Sequence, residues 1–307
     1  MIEISNITKK DGKNNVIRDF SFSAKRQECL GLFGADATAK TTLFKIIAGS
    51  THPSSGHVNI FGFDTQKHVR QACQIVGYQP STFGHPTLSV SSLLSFVAAL
   101  RGFSGADKRK RLDKAIVRLE LSPLLKYPIS ALPSGLKRKV AIAQAILHDP
   151  AVLLLDEPFE GLASHQYNKI NALIQSLTEE MTVIIATRDC EALVHTCTRG
   201  LIVGGGRLVE DASITDLLRS SRHFQAVTLT SQSPLDLLAL AVLPGVAGIE
   251  EDHHHPDTVT VLAMPGHSIF PSISALIANR HWQVNSLKLE PGRLNDVVHQ
   301  LSQEAPL

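Results

Sequence analysis

Apolar and polar positions alternate over residues 2–8 and 16–23, with Asp11-Gly12-Lys13-Asn14-Asn15 between them, which predicts two antiparallel strands around a turn. A different pattern marks Glu28–Phe33, Ala151–Leu155 and Thr182–Ala186: short runs with almost no polar interruption, as expected of parallel strands covered on both faces. Thr41–Ala48 carries Leu43, Ile46 and Ile47 at helical spacing and is closed by Gly49, Pro53 and Gly56. Val58–Phe61 and Ile75–Tyr78 read as further strands, a helix is expected over about 165–180, and Leu201–Val203 with Arg207–Val209 reads as a hairpin around Gly204-Gly205-Gly206. From about residue 88 to 148 the strand signal gives way to helical periodicity, carried by Leu93, Leu94 and Val97, by Leu112, Ile116 and Leu119, and by Val140, Ala143 and Leu147. That stretch is expected to be a helical insertion in an α/β core.

After about residue 220 the pattern restarts: strand Gln225–Leu229, helix Pro234–Ala241, strands Val246–Glu250 and Thr258–Leu262, helix Ile269–Ala278, strand Val284–Lys288 and helix Leu294–Leu301. This order resembles a small α+β ferredoxin-like module. The polar stretch Leu218–His223 is the expected boundary, with domains over 1–218 and 224–307.

Composition narrows the function classes. With 307 residues, 43% of them hydrophobic, the chain can bury more than one core. The formal net charge of +2 and the pI near 8.3 come from interspersed charges, so no basic stripe suggests a nucleic-acid partner. Cys29, Cys73, Cys190 and Cys197 match no zinc or redox spacing and sit among apolar residues, which predicts buried thiols of the cytosol. No secretory signal opens the chain. No stretch supplies the about 20 apolar residues that a membrane span needs, since Asp236 and Pro244 interrupt the most apolar one. A soluble chain is expected, reaching any membrane through a partner.

The chemistry concentrates in Gly31–Gly49. Gly34, Lys40 and Thr41 stand at the spacing of a phosphate-binding loop, G-x-x-x-x-G-K-[ST], in which backbone N–H groups and a Lys cradle phosphates while a Thr ligates Mg²⁺. The second obligatory glycine is Ala39, however, and Ala37 takes another flexible position. An alanine Cβ disfavours φ > 0 by roughly 1 kcal/mol or more, so weakened phosphate wrapping is expected. Leu153-Leu154-Leu155-Asp156-Glu157-Pro158 is an apolar strand ending in two carboxylates, placing Asp156 for Mg²⁺ and Glu157 for polarising an attacking water. A helix cap is the blander account of such a pair standing alone.

With these two motifs in order, residues 1 to about 218 resemble the ATP-binding subunits of ABC transporters, best the drug- and polymer-exporting group with a C-terminal extension. Arg293-Leu294-Asn295-Asp296-Val297-Val298 looks like that group's tail segment. The resemblance implies a P-loop NTPase fold, a RecA-like core with an antiparallel β-subdomain and the helical insertion, and the cofactors ATP and Mg²⁺. It also implies membrane-spanning partner subunits, a second ATP-binding subunit as homo- or heterodimer partner, and a cytoplasmic place on the inner face of the cell membrane. Position by position, it implies nucleotide contacts from Gly34, Asp36, Ala39, Lys40, Thr41 and Thr42, with Thr41 and Asp156 on the metal and Glu157 as the catalytic carboxylate.

Other family motifs are altered. Asp11 stands where an adenine-stacking aromatic is usual, and Ser81 where a metal-sensing Gln is usual, with Gln79 two residues earlier. The signature reads Leu132-Pro133-Ser134-Gly135-Leu136, and proline removes both a hydroxyl and an N–H. Ser134 and Gly135 remain as γ-phosphate contacts to a partner's nucleotide. Ala163 replaces an Asp, and Arg188 replaces the switch His, keeping charge for a phosphate but not a neutral imidazole's hydrogen bond. The expectation is a degenerate ATP-binding subunit with weak or absent hydrolysis; an active export ATPase and a nucleotide-free scaffold are the alternatives. His253-His254-His255 reads as a solvated turn rather than a metal site. Arg70 and Lys108-Arg109-Lys110-Arg111 read as solvated helix faces.

Overall fold

In a computed structural model, residues 1–12, 14–82, 87–231, 235–252, 255 and 257–304 are described. They form two compact units, Met1–Ala212 with the segment from Leu301 on, and Ser213–Gln300.

The first unit begins with β1 (Ile2–Asp11) and β2 (Asn14–Ala24), paired antiparallel. Their alternating residues Ile2, Ile4, Ile17, Phe20 and Phe22 turn to one buried face. After β3 (Cys29–Phe33) and α1 (Ala37–Ile47), β4 (Ser55–Ile60) and β5 (Phe63–Asp64) complete a sheet of order β2-β1-β4-β5. The chain continues through α2 (Val69–Ile75) and β6 (Val76–Gln79) into α3 (Val90–Leu100), α4 (Gly105–Arg118) and α5 (Ser134–Ile146), the helical insertion. β7 (Val152–Asp156), α6 (Tyr167–Thr178), β8 (Thr182–Ala186), β9 (Arg199–Gly204) and β10 (Arg207–Ser213) follow. The second sheet has the order β10-β9-β3-β8-β7-β6, with β3, β6, β7, β8 and β9 in parallel register. Every residue of β3, β7 and β8 is buried, which is why their sequences show no alternation. Leu43, Phe44, Ile46 and Ile47 of α1 share one core with β1, β2, β7 and β8.

Two surface readings change. Cys73 is exposed whereas the other three cysteines are buried, because it lies on α2, whose only buried residue is Ala72. The basic cluster of α4 is not simply solvated. Arg111 lies 4.3 Å over the Phe103 ring and 3.0 Å from Asp149, an anchor between α4 and the turn after α5.

In the second unit, α7 (Ile214–Ser220) precedes β11 (Phe224–Ser231), α8 (Leu237–Ala241), β12 (Val246–Glu251), β13 (Thr258–Ala263), α9 (Phe270–Arg280), β14 (Val284–Pro291) and the start of α10 (Leu294–Glu304), whose residues from Leu301 on count with the first unit. The division falls before Ser213, whose hydroxyl caps α7, rather than inside Leu218–His223, because Ile214 and Leu217 are buried with this unit. The antiparallel order β12-β13-β11-β14 is that of a ferredoxin-like sheet. Val227, Leu229, Val259 and Val261 pack there against Ile269 and Ile273. Buried His223 lies 2.8 Å from Glu250 and 2.6 Å from Asp296, joining β12 to the tail segment. His253 and His254 lie outside the described residues, and His255 is exposed. No helix among the described residues is long and apolar enough to cross a membrane.

The β9–β10 turn meets the first sheet through Arg18 N–H, which donates to Gly206 O at 2.8 Å. Gly206 has φ +75°, and a Cβ there would lie 2.5 Å from Val16 O. Gly206→Ala is therefore expected to cost roughly 1–3 kcal/mol, read as a lower urea midpoint at unchanged m-value.

Candidate nucleotide site

Gly34 ends β3 with φ +132°, and a Cβ there would lie 2.2 Å from Val203 O, so only glycine lets the turn pass β9 this closely. Beyond it the backbone departs from the expected open loop. Neither Ala37 nor Ala39 has a positive φ; α1 starts at Ala37, three residues before Lys40 rather than after it. Alanine is the best helix former and poor at left-handed geometry, so the substituted loop winds into the helix instead of straining. Asp36 becomes the N-cap, its carboxylate accepting from Ala39 N–H at 2.9 Å.

Lys40, only 1% exposed, donates from Nζ to Gly34 O and Thr187 O, each at 2.8 Å, and stands 3.7 Å from Glu157 Oε1. Burial holds its pKa below the usual lysine value, partly offset by the Glu157 charge. Thr41 Oγ1 donates to Asp156 Oδ2 at 2.8 Å, and Tyr78 OH donates to the same oxygen at 3.3 Å. Burial raises the Asp156 pKa against these two hydrogen bonds, and burial beside Asp156 raises that of Tyr78. Glu157 adopts φ +49°, uncommon for a non-glycine residue, and its Oε2 accepts from Arg188 N–H at 3.2 Å. The parallel register of β3, β8 and β7 sets the loop, Thr187-Arg188 and Asp156-Glu157 side by side.

These ends open on a cleft of about 340 Å³, lined among others by Ala37, Thr41, Ser81, Glu157, Gly161 and Arg188. Of the remaining expected site residues, Lys40 lies buried behind the cleft. Gly34, Asp36, Ala39 and Thr42 sit on the turn and α1 without lining it. Ser134 and Gly135 open α5, whose N-cap Pro133 makes no side-chain cap hydrogen bond. They are not among the lining residues themselves but lie beside Gly161 and Leu162, which are. Gln79 is fully buried, its amide donating to Asp156 O at 3.2 Å and to Pro80 O, so it does not stand in for a glutamine at Ser81. Two contributors escaped sequence reasoning. Tyr78 was visible only as the residue before Gln79. Arg138, buried on α5, donates to Ser81 O and Glu160 O at 3.3 Å each, linking the segments after β6 and β7.

A model of the ABC transporter family matches residues 17–160. LnrL of Bacillus subtilis (strain 168), a linearmycin resistance ATP-binding protein, is 30% identical over 219 residues, 71% of this chain and 70% of that one. The chain belongs to the ABC transporter ATP-binding proteins. The Nod factor export ATP-binding protein I of Ralstonia nicotianae (strain ATCC BAA-1114 / GMI1000) is 27% identical over 220 residues, 71% of this chain and 68% of that one. Against a putative ABC transporter ATP-binding protein of Vibrio vulnificus (strain YJ016), 29% identical, the match takes 77% of this chain but 42% of the relative. Among solved structures, a dimeric bacterial ABC transporter cassette superposes with TM-score 0.62 at 23% identity, covering 70% of this chain and 99% of that one. The same cassette has been solved bound to ADP and Pi. The P-loop NTPase fold is therefore shared.

The raised pKa of Asp156 has a sign that can be tested. The folded chain holds this proton more tightly than the unfolded chain, so the ionised carboxylate weakens the fold at neutral pH; the effect vanishes below the ordinary carboxylate range. Asp156→Asn is expected to raise the calorimetric midpoint of the nucleotide-free protein near neutrality, with the gain shrinking to zero at about pH 4 or below. An equal gain at every pH would refute the assignment.

Proposed function

We propose that this chain is a relaxed ATP-binding subunit of an ABC-type export complex, holding Mg-ATP weakly and hydrolysing it poorly or not at all while acting as a structural and regulatory partner beside membrane subunits. The observation that carries the reading is the Lys40–Thr41–Asp156 arrangement. It keeps a buried cation and paired oxygen donors in place, although Asp36 occupies an N–H at the start of α1. The Thr41 hydroxyl and Asp156 carboxylate suit Mg²⁺, a hard cation that prefers oxygen. That ion would neutralise phosphate charge; Lys40 would release the Gly34 and Thr187 carbonyls to meet the same phosphates.

Loss of hydrolysis is supported by the substitutions around this core. Glu157, the expected base, is tied to Arg188 N–H and faces Lys40, and Arg188 cannot supply a neutral imidazole. Pro133 offers the partner's nucleotide neither hydroxyl nor N–H. In a dimer of the family's kind each site combines one subunit's loop with the other's signature, so these changes touch both sites. The names of relatives in drug resistance and Nod factor export support export as the process served.

Titration calorimetry of the full chain tests the binding half. Micromolar Mg-ATP binding is expected, with Lys40→Ala raising Kd at least about 10-fold, equal to about 1.4 kcal/mol. Absence of binding would instead mark a nucleotide-free scaffold. Turnover by the purified chain at a normal family rate would overturn the degenerate reading. In an active ATPase, Glu157→Gln would abolish turnover by the assembled complex.

The helical start of the loop makes a separate prediction. Ala37→Gly with Ala39→Gly is expected to destabilise α1 by about 0.5–1 kcal/mol per residue. The same pair should tighten Mg-ATP binding roughly 5–10-fold, because a larger share of molecules presents an open loop. Denaturation and calorimetry on one preparation read both effects.

A further inference from the structure

A cavity of about 560 Å³ lies within the second unit, walled by the segments 219–225 and 263–268. Its size is that of a small-molecule site, and its lining divides by chemistry. Phe224, Ala263, Met264 and Pro265 supply apolar surface, while Arg219 and Arg222 supply two guanidinium groups, and no acidic residue is among the lining residues. Met264 is 45% exposed, an apolar side chain left open at the end of β13.

Four features of this cavity bear on what it can hold. Arg222 pairs with Glu250 at 3.2 Å and Arg219 with Asp216 at 3.5 Å, but both arginines are nearly two-thirds exposed. Exposed pairs of this kind contribute little, so exchanging them for a ligand costs little. Ser221 is 6% exposed, and its oxygen accepts from His223 N–H at 3.1 Å and from Arg293 N–H at 3.0 Å. With two N–H groups on its oxygen, the hydroxyl still has its single proton to donate. The opposite wall is braced: Met264 N–H donates to Gly245 O at 2.7 Å, His267 N–H donates to Met264 O at 3.0 Å, and the His267 side chain packs against Gly245. Between the walls, Gln225 is held at φ +62°, a conformation uncommon away from glycine and concentrated at ligand sites.

We propose that this cavity binds a small amphipathic oxyanion, a carboxylate or phosphate monoester bearing an apolar body. The oxyanion would lie against Arg219, Arg222 and the Ser221 hydroxyl, and the apolar body on Phe224 and Met264. Guanidinium groups favour planar and tetrahedral oxyanions. An inorganic anion would leave the apolar wall wet, and a neutral apolar molecule would leave two cations without a ligand partner.

Titration of the full chain with decanoate, decyl phosphate and inorganic phosphate, the first two below their micelle concentrations, tests the proposal. One of the alkyl anions is expected to bind saturably at one site, at least about 10-fold tighter than inorganic phosphate. Arg219→Ala with Arg222→Ala should weaken that binding by at least about 10-fold while the thermal midpoint stays close to wild type, since both side chains are exposed. Met264→Asp should weaken it similarly through the apolar end. Lys40→Ala, which removes the nucleotide-site cation, should leave it unchanged. Lack of saturable binding, indifference to the arginine pair, or loss with Lys40→Ala would each overturn the assignment.

Discussion

A lysine amine buried to 99% is the constraint around which the first unit is arranged. Taking an ammonium group out of water is costly unless hydrogen bonds and charge replace the solvent. Here the replacements come from three places far apart in the chain: Gly34 O after β3, Thr187 O after β8 and Glu157 after β7. They meet Lys40 only because those three strands run parallel and in register, so that all their carboxyl ends reach one edge of the sheet. Any alteration of that register would leave the lysine unsatisfied, which ties the sheet's geometry to the site's charge balance.

The consequence is a site whose polar groups are paired largely with one another. Lys40 grips the backbone, Thr41 and Tyr78 share Asp156, and Asp36 caps α1. On the proposed function, a nucleotide and its metal would have to displace these hydrogen bonds before forming their own. The alanines at positions 37 and 39 favour the helical start of α1, which glycines would resist.

The second unit is organised by a different pairing. His223, almost without exposure, stands between Glu250 and Asp296, joining the start of the ferredoxin-like sheet to its last helix. Directly beside it, Ser221 collects two backbone N–H groups, so the segment entering β11 is held by buried polar contacts rather than by apolar packing alone.

Strand and helix identities were largely legible along the chain because burial on both faces, or on one, leaves a period in the residues themselves: the unbroken apolar runs of β3, β7 and β8 and the spacing of Leu43, Ile46 and Ile47. Lys40, Thr41, Asp156 and Glu157 were legible too, since a phosphate loop and a strand-end carboxylate pair are local patterns. The start of α1, the Tyr78–Asp156 contact, the burial of Gln79 and the reach of Arg138 to Ser81 and Glu160 were not. Those features depend on which distant backbone groups arrive beside a side chain and on whether a loop finds strain or helix cheaper, and both are settled by the packed sheet edge rather than by any neighbouring residue in sequence.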